Sequence, residues 1–272
     1  MMQSANDMKR ASMGILKFDE IDATYQLNRY APSEALRSWV KHFWIVSWDL
    51  TGKQPYSQHI VPNPCVNLIV EHGNTFFYGP SKRKFTYMIK EKGSVFGVKF
   101  KPGGCYPYLR TPISALHGNP LHVGQILHVT SDELEDYLLG MKTDAEKVSY
   151  MDQLLCEHLP AEDAKAQFVG EIVSQIELNR DMLRVDDLAA FWNIHTRQLQ
   201  RLFNKYVGIS PKAVIKLYRL QNAAESIEQG SHYDLIQLSQ NLGYHDQSHF
   251  IKDFKSIIGS TPEDYVNNHS KN

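Results

Sequence analysis

Two segments of the chain place hydrogen-bonding and cationic side chains together at helical spacing. The outward-facing residues of the first segment are Thr196, Arg197, Gln200, Arg201 and Asn204. Those of the second segment are Gln247, Ser248, Ile251, Lys252 and Lys255. Arg, Gln and Ser side chains can hydrogen-bond the edges of DNA bases, Lys suits phosphate oxygens, and Ile can contact only an apolar feature such as a thymine methyl group. Both segments are therefore candidate surfaces for reading a duplex.

The opposite side of each segment is apolar, as an amphipathic helix requires. The inward residues are Leu199, Leu202 and Phe203 in the first segment and Phe250, Phe254 and Ile257 in the second. Any solvent-exposed amphipathic helix also shows polar residues on its outer face, so one such helix alone would not indicate DNA binding. The argument for DNA binding depends on the duplication of the motif and on its turn residues.

The two segments belong to a repeated pattern. The first copy contains Leu188, Ala189, Asn193, Phe203, Gly208 and Pro211, and the second contains Leu238, Ser239, Gly243, Phe254, Gly259 and Pro262. The spacing from phenylalanine to glycine and proline is identical in the two copies. A repeat of this kind indicates a duplicated supersecondary unit, here helix, tight turn, helix.

The turn residues have specific roles in this interpretation. Asn193 and Gly243 tolerate a left-handed backbone, which ends the first helix of each unit. Asp246 is a good N-cap for the second helix of unit two, whereas His195 is a weaker cap in unit one. Thr196 could therefore shift the start of that helix by one residue. Pro211 suits the first position of a linking helix that we expect from about Pro211 to Ser226.

Positive charge is concentrated in the first unit. No Asp or Glu occurs from Leu188 to Ala224, although the whole chain has a formal net charge of -1. The cations of this stretch are Arg197, Arg201, Lys205, Lys212, Lys216 and Arg219. Local positive potential attracts the phosphate backbone, although a solvated basic helix face would have the same composition. We expect Lys205, Lys212 and Lys255 to contact the DNA backbone, with most of this contact in the first unit.

From about Ala164 to Tyr265 these motifs resemble the DNA-binding domain of the AraC/XylS family of bacterial transcription regulators. The matching segments are L-x-R-L-F at 199–203, G-I-S-P at 208–211, R-L-x-x-A at 219–223, G-Y-x-D-Q-S-H-F at 243–250, F-K at 254–255 and G-x-T-P at 259–262. His195 and Ser239 depart from the family, which usually has Ser and Ala there. The combination is far more specific than a single helix-turn-helix.

The resemblance implies an all-α domain of two helix-turn-helix units joined by a long helix. The reading helices would then enter successive major grooves about 34 Å apart. Base contacts would be made by Thr196, Arg197, Gln200 and Arg201 in the first unit and by Gln247, Ser248, Ile251 and Lys252 in the second. The implied protein is a transcription regulator and not an enzyme. Its partners would be double-stranded DNA and an unknown small-molecule effector, with contacts to RNA polymerase and homodimerisation left open.

The half of the chain before Pro160 has a different pattern. Its clearest strand-like runs are Phe43–Trp48, Val66–Val70, Phe85–Ile89 and Val95–Phe100. Turn residues separate them at 78–80, 92–93 and 102–104. Short strands at this spacing predict a small β-barrel or sandwich. Before them, Ser33 is expected to cap a short helix that directs Leu36, Val40 and Phe43 inward.

This half also resembles an uncharacterised N-terminal domain carried by a subset of AraC-type regulators. The segments that carry the similarity are 30–32, 61–69 and 97–104, although Asn63 and Pro64 replace the more usual turn residues. By analogy, such a domain would sense a small molecule through a cupin-like β-barrel. A bound molecule would change the contacts between this domain and the C-terminal helices or a second subunit.

Two helices are predicted between these regions. Thr130 or Ser131 can start a helix that runs through Leu139, and Thr143 with Glu146 forms a capping box before a helix to about His158. Apolar residues recur along both helices: Leu134, Leu138, Val148, Met151, Leu154 and Leu155. The pattern fits packing on the β-domain and a dimer interface equally well.

The chain of 272 residues is long enough for two domains. We expect an α+β protein with a flexible N-terminus at 1–20, a ligand-sensing β-domain with accessory helices at 21–160, and a double helix-turn-helix domain at 161–272. The cysteines Cys65, Cys105 and Cys156 are few and widely separated, which argues against structural disulfides. No 18-residue apolar run or signal peptide is present, so a cytoplasmic location is expected.

Two other classes of function were considered for the N-terminal half. His59 and His72 flank Cys65, which leaves open a metal-dependent enzyme, but no recognised catalytic or metal-binding motif occurs in the chain, and we expect no catalytic residue, metal or cofactor. A protein-interaction module would need exposed aromatic residues. The candidates are Phe43, Trp44, Trp48, Phe76, Phe77 and Tyr78. Large apolar residues are usually core, so filling of the β-domain is favoured.

Overall fold

The computed structural model describes residues 25–228 and 234–269, and the segment 1–20 predicted to be flexible lies outside them. A region built on β-strands is followed by a region built only of helices, which confirms the predicted α+β class. The strands are β1 (Tyr25–Tyr30), β2 (Val40–Asp49), β3 (Tyr56–Ile60), β4 (Asn67–Val70), β5 (Phe76–Tyr78), β6 (Phe85–Ile89), β7 (Lys92–Phe100) and β8 (Leu121–His122).

Six of these strands form one antiparallel sheet in the order β1-β2-β7-β4-β5-β8, and β3 pairs with β6 in a separate two-stranded sheet. The large sheet covers a core that contains the fully buried side chains of Phe43, Leu68, Phe77, Phe96 and Phe100. Buried and more exposed residues alternate along β4, whereas β2 and β7 also bury Val46, Trp48 and Val95 in a second cluster with Ile89 of β6.

Helices α1 (Tyr106–Leu109), α2 (Gly124–Leu127), α3 (Ser131–Gly140) and α4 (Asp144–Glu157) complete this region. The predicted capping box of Thr143 and Glu146 is present on α4, and α3 begins after Thr130, which forms a second capping box with Glu133. Their apolar residues, including Leu134, Leu138, Met151 and Leu155, are buried in the same core as the sheet. Packing on the β-domain therefore accounts for the apolar residues that recur along α3 and α4.

Two local predictions in this region are wrong. Instead of a helix capped by Ser33, the chain forms a single 3-10 turn at Glu34–Leu36, and β2 begins at Val40 because its β-branched and aromatic residues pair with both β1 and β7. The predicted break at 92–93 lies inside β7. Gly93 is opposite Trp48, and a Cβ on it would come within 2.3 Å of the indole ring. This glycine therefore permits a close ring contact and does not form a turn.

The second region contains α5 (Ala164–Leu178), α6 (Val185–Phe191), α7 (Thr196–Leu202), α8 (Pro211–Glu228), α9 (Leu235–Asn241), α10 (Gln247–Ile258) and α11 (Pro262–His269). A π-helical turn, Phe203–Val207, continues α7. The long helix α8 lies at the centre, since it contacts α5, α6, α10 and α11. None of the helices in the described residues has the length and apolar character needed to cross a bilayer.

The two regions share a buried polar contact. The Gln221 side chain on α8 donates a hydrogen bond of 2.7 Å from Nε2 to the carbonyl oxygen of Pro62. Val61, the preceding residue, belongs to the same buried cluster as the core of the helical region. The segment between β3 and β4 is thus held against α8 by one hydrogen bond and by apolar packing.

Replacing Gln221 with Leu should destabilise the protein by about 1–3 kcal/mol, because the buried Pro62 carbonyl would lose its partner. Chemical denaturation of the full chain measures this change. Gln240→Leu is the matched control. Gln240 is exposed on α9, so this variant should lose little stability. Equal losses of stability in the two variants would show that the hydrogen bond between Gln221 and Pro62 contributes nothing specific to the free energy of unfolding.

Candidate nucleic-acid interface

The first helix-turn-helix unit consists of α6 and α7 with a tight turn between them. Leu188 and Ala189 are buried, and Asn193 has the left-handed φ of 49° that the sequence predicts for this turn. Helix α7 begins at Thr196 with His195 at the N-cap, so the start is not shifted. His195 makes no side-chain cap, whereas the Thr196 hydroxyl donates to Asp186 Oδ1 at 3.3 Å and so ties α7 to the start of α6.

The two faces of α7 differ as predicted. Leu199 and the adjoining Phe203 are completely buried. The side chains of Arg197, Gln200 and Arg201 are exposed on the opposite face, and Thr196 is half-buried. These residues are therefore placed where a duplex could meet them, although their roles in reading bases remain predictions.

The end of the first unit fixes the direction of α8. Gly208 adopts a φ of 88° after the π-helical turn, a conformation that disfavours side chains. The Ser210 hydroxyl then accepts a hydrogen bond of 3.3 Å from the Ala213 N–H, and Pro211 occupies the first turn, where its missing N–H costs nothing. Lys212 is exposed at this corner, beside α7.

The second unit repeats this arrangement with α9 and α10. Gly243 has a φ of 70° in the turn, and Asp246 caps α10 by accepting a 2.8 Å hydrogen bond from the Ser248 N–H. Phe250, Phe254 and Ile257 are buried. The predicted reading and backbone residues are all exposed: Gln247, Ser248, Ile251, Lys252 and Lys255.

A polar network fastens α10 to the linking helix. Lys216 on α8 forms a 3.0 Å ion pair with Asp253, which also accepts a 3.1 Å hydrogen bond from the Tyr244 hydroxyl. The guanidinium of Arg219 lies 4.5 Å from the centre of the Tyr244 ring, and burial raises the pKa of Tyr244 to about 12. Lys216 and Arg219, which the sequence analysis counted as part of the positive surface, are therefore committed to contacts within the protein.

Lys205 occupies a different environment from the other predicted phosphate contacts. Its Nζ atom lies 4.8 Å from the centre of the Tyr106 ring and 5.4 Å from that of Tyr206, and hydrogen bonding to Tyr106 raises its pKa. Tyr106 belongs to α1 of the N-terminal region. The structure thus places Lys205, which is itself exposed, at the seam where the two regions meet, whereas Lys212 and Lys255 are exposed without such an aromatic contact in the described residues.

The seam beside the first unit contains residues that the sequence analysis did not identify. His117 Nε2 is 2.8 Å from the carbonyl oxygen of Gly208, and the rings of Tyr106 and Tyr206 are 4.5 Å apart. A Cβ at Gly208 would come within 2.8 Å of Ile113. No local pattern in the sequence reveals these long-range contacts, which bring the N-terminal region directly against the end of the first reading helix.

The alternatives for the N-terminal half find little support in the described residues. No group of three His, Cys, Asp or Glu side chains there is arranged to hold a metal ion. Cys65 and Cys105 are buried, and burial raises the pKa of both thiols, which disfavours the reactive thiolate. Phe43, Trp48 and Phe77 are core residues, while Trp44, Phe76 and Tyr78 are half-buried.

Two regions of the chain match known protein families. Residues 28–122 match a family described as a domain of unknown function, DUF6597. Residues 188–268 match a helix-turn-helix domain family, and this range begins within α6 and contains α7, the whole of α8, α9 and α10. The two matches thus correspond to the strand-based region and the helical region of the fold.

Individual relatives align with part of the chain. It is 34% identical over 95 residues to the HTH-type transcriptional regulator GbdR of Pseudomonas aeruginosa, covering 35% of this chain and 26% of the relative. It is 31% identical over 103 residues to the F1 operon positive regulatory protein of Yersinia pestis, covering 37% of this chain and 34% of the relative. The chain thus matches between about a quarter and a third of the length of these curated relatives.

Among solved structures, a transcriptional regulator of the AraC type from Chromobacterium violaceum aligns with 28% identity and a TM-score of 0.33, covering 37% of this chain and 90% of that one. The similarity over 188–268 and the observed pair of helix-turn-helix units concern the same part of the molecule. Residues 188–268 therefore form an AraC-type helix-turn-helix domain similar to those of transcriptional regulators, and residues 28–122 form a DUF6597 domain.

Proposed function

We propose that this protein is a sequence-specific DNA-binding regulator whose N-terminal domain controls DNA binding in response to a small molecule. The observation that carries the DNA-binding part is the pair of exposed faces on α7 and α10, of which α10 packs against the linking helix α8 and α7 is joined to it through the π-helical turn. Because α8 joins them, α7 and α10 can bind one duplex together by entering successive major grooves.

The residue types on the two faces suggest different contributions. Arg197, Gln200 and Arg201 on α7 offer donors for base edges, and neither arginine forms an ion pair within the described residues. On α10, Gln247 and Ser248 lie at the start of the helix, where the residues of a reading helix usually contact bases. We assign base reading to both faces, together with Thr196, Ile251 and Lys252, and phosphate contact to Lys212 and Lys255.

The control function is supported by the position of the N-terminal region. Contacts from Tyr106, Ile113 and His117 reach the π-helical turn and Gly208, directly after α7. A molecule that binds the N-terminal domain more tightly in one arrangement of this seam than in another would shift the population of DNA-binding states.

Selection of bound duplexes from a random pool with the full chain tests the DNA-binding function. We expect a motif of two half-sites whose centres are about 10 base pairs apart, because the reading helices would enter successive major grooves. A motif containing two such pairs would show that two copies of the chain bind together. Recovery of no motif, with retention that depends only on salt, would contradict sequence-specific recognition.

A further inference from the structure

The loop between β5 and β6 connects the N-terminal region to the reading surface of the helical region. Its residue Lys84 donates from the backbone N–H to the Ser256 carbonyl at 3.2 Å and from Nζ to the Gly259 carbonyl at 3.2 Å. Both acceptors lie at the C-terminal end of α10, where a cation is favoured by the helix dipole. This loop is therefore fastened to the second helix-turn-helix unit.

The conformation of the loop is also fixed internally. The Ser81 hydroxyl donates to the Arg83 carbonyl at 2.6 Å and accepts a 3.2 Å hydrogen bond from the Arg83 N–H. Lys82 and Arg83 are exposed between these two anchored positions. Their charges thus lie on a defined turn that is hydrogen-bonded internally and is bound to α10 at its Lys84 end.

Lys82 also reaches the first unit. It lines an open cleft of about 740 Å³ together with Arg197, Gln200 and Arg201 of α7 and Lys212 of α8. Four of the twelve residues that line this cleft are Lys or Arg, and none is Asp or Glu. The loop is therefore in contact with the second unit at one end and beside the reading face of the first unit at the other.

The cations in and beside this cleft have no ion-pair partner in the described residues. Lys82, Arg83, Arg197, Arg201 and Lys212 form no ion pair with a carboxylate in residues 25–228 or 234–269. Grouped cations repel one another, and a polyanion that binds across them relieves this repulsion and releases its own counterions. DNA that reaches α7 would bring phosphates past the same cleft.

We propose that Lys82 and Arg83 bind phosphates of the DNA backbone, so that the N-terminal domain itself forms part of the DNA-binding surface. This inference rests on the proposed DNA-binding function and extends it to a loop outside the helix-turn-helix units. Lys84 has a different role, since its contacts to α10 hold the loop in place. The sequence S-K-R-K at 81–84 therefore combines one anchoring cation with two cations that are available to a ligand.

The test uses the full chain, the duplex recovered by selection and an unrelated duplex of the same length. In the double variant K82A/R83A, the plot of log affinity against log salt should become less steep by about 0.9 for each phosphate that the variant no longer binds. Near 0.15 M salt, that slope corresponds to roughly a fivefold weaker affinity per phosphate. Both duplexes should lose affinity equally, because phosphate binding carries no sequence information.

Two further variants make the result specific. Lys53→Ala removes an exposed lysine from the turn between β2 and β3 and should leave affinity and salt dependence unchanged. K82Q/R83Q keeps polar side chains at the loop and should reproduce the effect of the alanine pair. Thermal unfolding should be the same in all these proteins, since the substituted side chains are exposed.

The outcomes separate this inference from the proposed function. If Arg201→Ala weakens binding of the selected duplex while K82A/R83A leaves the salt slope unchanged, the loop does not contact DNA and the regulator assignment stands. Tighter binding by K82A/R83A would also overturn the inference, because the loop would then obstruct the duplex. If the unmodified chain binds neither duplex, both the inference and the proposed function are wrong.

Discussion

Replacing Arg201 with Ala should weaken binding to the selected operator by about 1–3 kcal/mol, which is roughly five- to 150-fold in dissociation constant. Arg201 is exposed on the reading face of α7, and no carboxylate in the described part of the chain neutralises it. A guanidinium in this position can form two hydrogen bonds to one guanine, which Ala cannot replace. Fluorescence anisotropy with labelled operator and unrelated duplex measures the change.

Two controls distinguish base reading from charge. Lys212→Ala removes an exposed cation beside the same cleft and should weaken both duplexes alike, with a flatter salt dependence. Arg201→Lys keeps the charge but loses the paired geometry, so it should lose preference for the operator while retaining affinity for the unrelated duplex. An unchanged operator affinity in Arg201→Ala would show that this face of α7 does not read the bases.

Replacing Gly208 with Ala should destabilise the protein by roughly 2–5 kcal/mol, because two costs combine at this position. Its φ of 88° is unfavourable for any residue with a Cβ. That Cβ would also lie 2.8 Å from a side-chain carbon of Ile113 and 3.0 Å from its backbone carbonyl group, which cannot move away easily. Chemical denaturation of the full chain measures the change in stability.

Gly118→Ala is the matched control for this experiment. Gly118 has a φ of 70°, yet a Cβ there meets nothing within 4 Å. It should therefore show only the backbone cost, about 1–2 kcal/mol. If the two variants are equally destabilised, the contact between Ile113 and Gly208 is not tight. The N-terminal region would then be less strongly coupled to the end of α7 than we propose.

Features that depend on neighbouring residues could be predicted from the sequence. The helix start at Thr130, the capping box at Thr143, the cap at Asp246 and the turn at Asn193 all form as expected, since each depends on residues a few positions apart. The exposed faces of α7 and α10 follow from helical periodicity in the same way. The roles of those faces in DNA recognition remain predictions.

Features that depend on distant residues could not be predicted in this way. Gly93 is a residue type typical of turns, but it lies in β7 opposite Trp48. Only the register of β2 and β7 brings these two residues together. Lys216 and Arg219 carry the positive charge expected of a DNA-binding surface. In the structure, however, Lys216 pairs with Asp253 and Arg219 packs on the Tyr244 ring. Lys82 lies far from α7 in the sequence, so its place in the cleft depends on how the two regions pack.

The polar network between α8 and α10 has a consequence for the geometry of the operator. The second unit and the linking helix form one rigid unit through the contacts among Lys216, Asp253, Tyr244 and Arg219. A single base pair inserted between the half-sites would rotate one of them by about a tenth of a helical turn relative to the other. The protein could not follow that rotation without breaking its own contacts, so under the proposed recognition we expect binding to depend on the helical phase of the half-sites as well as on their sequence.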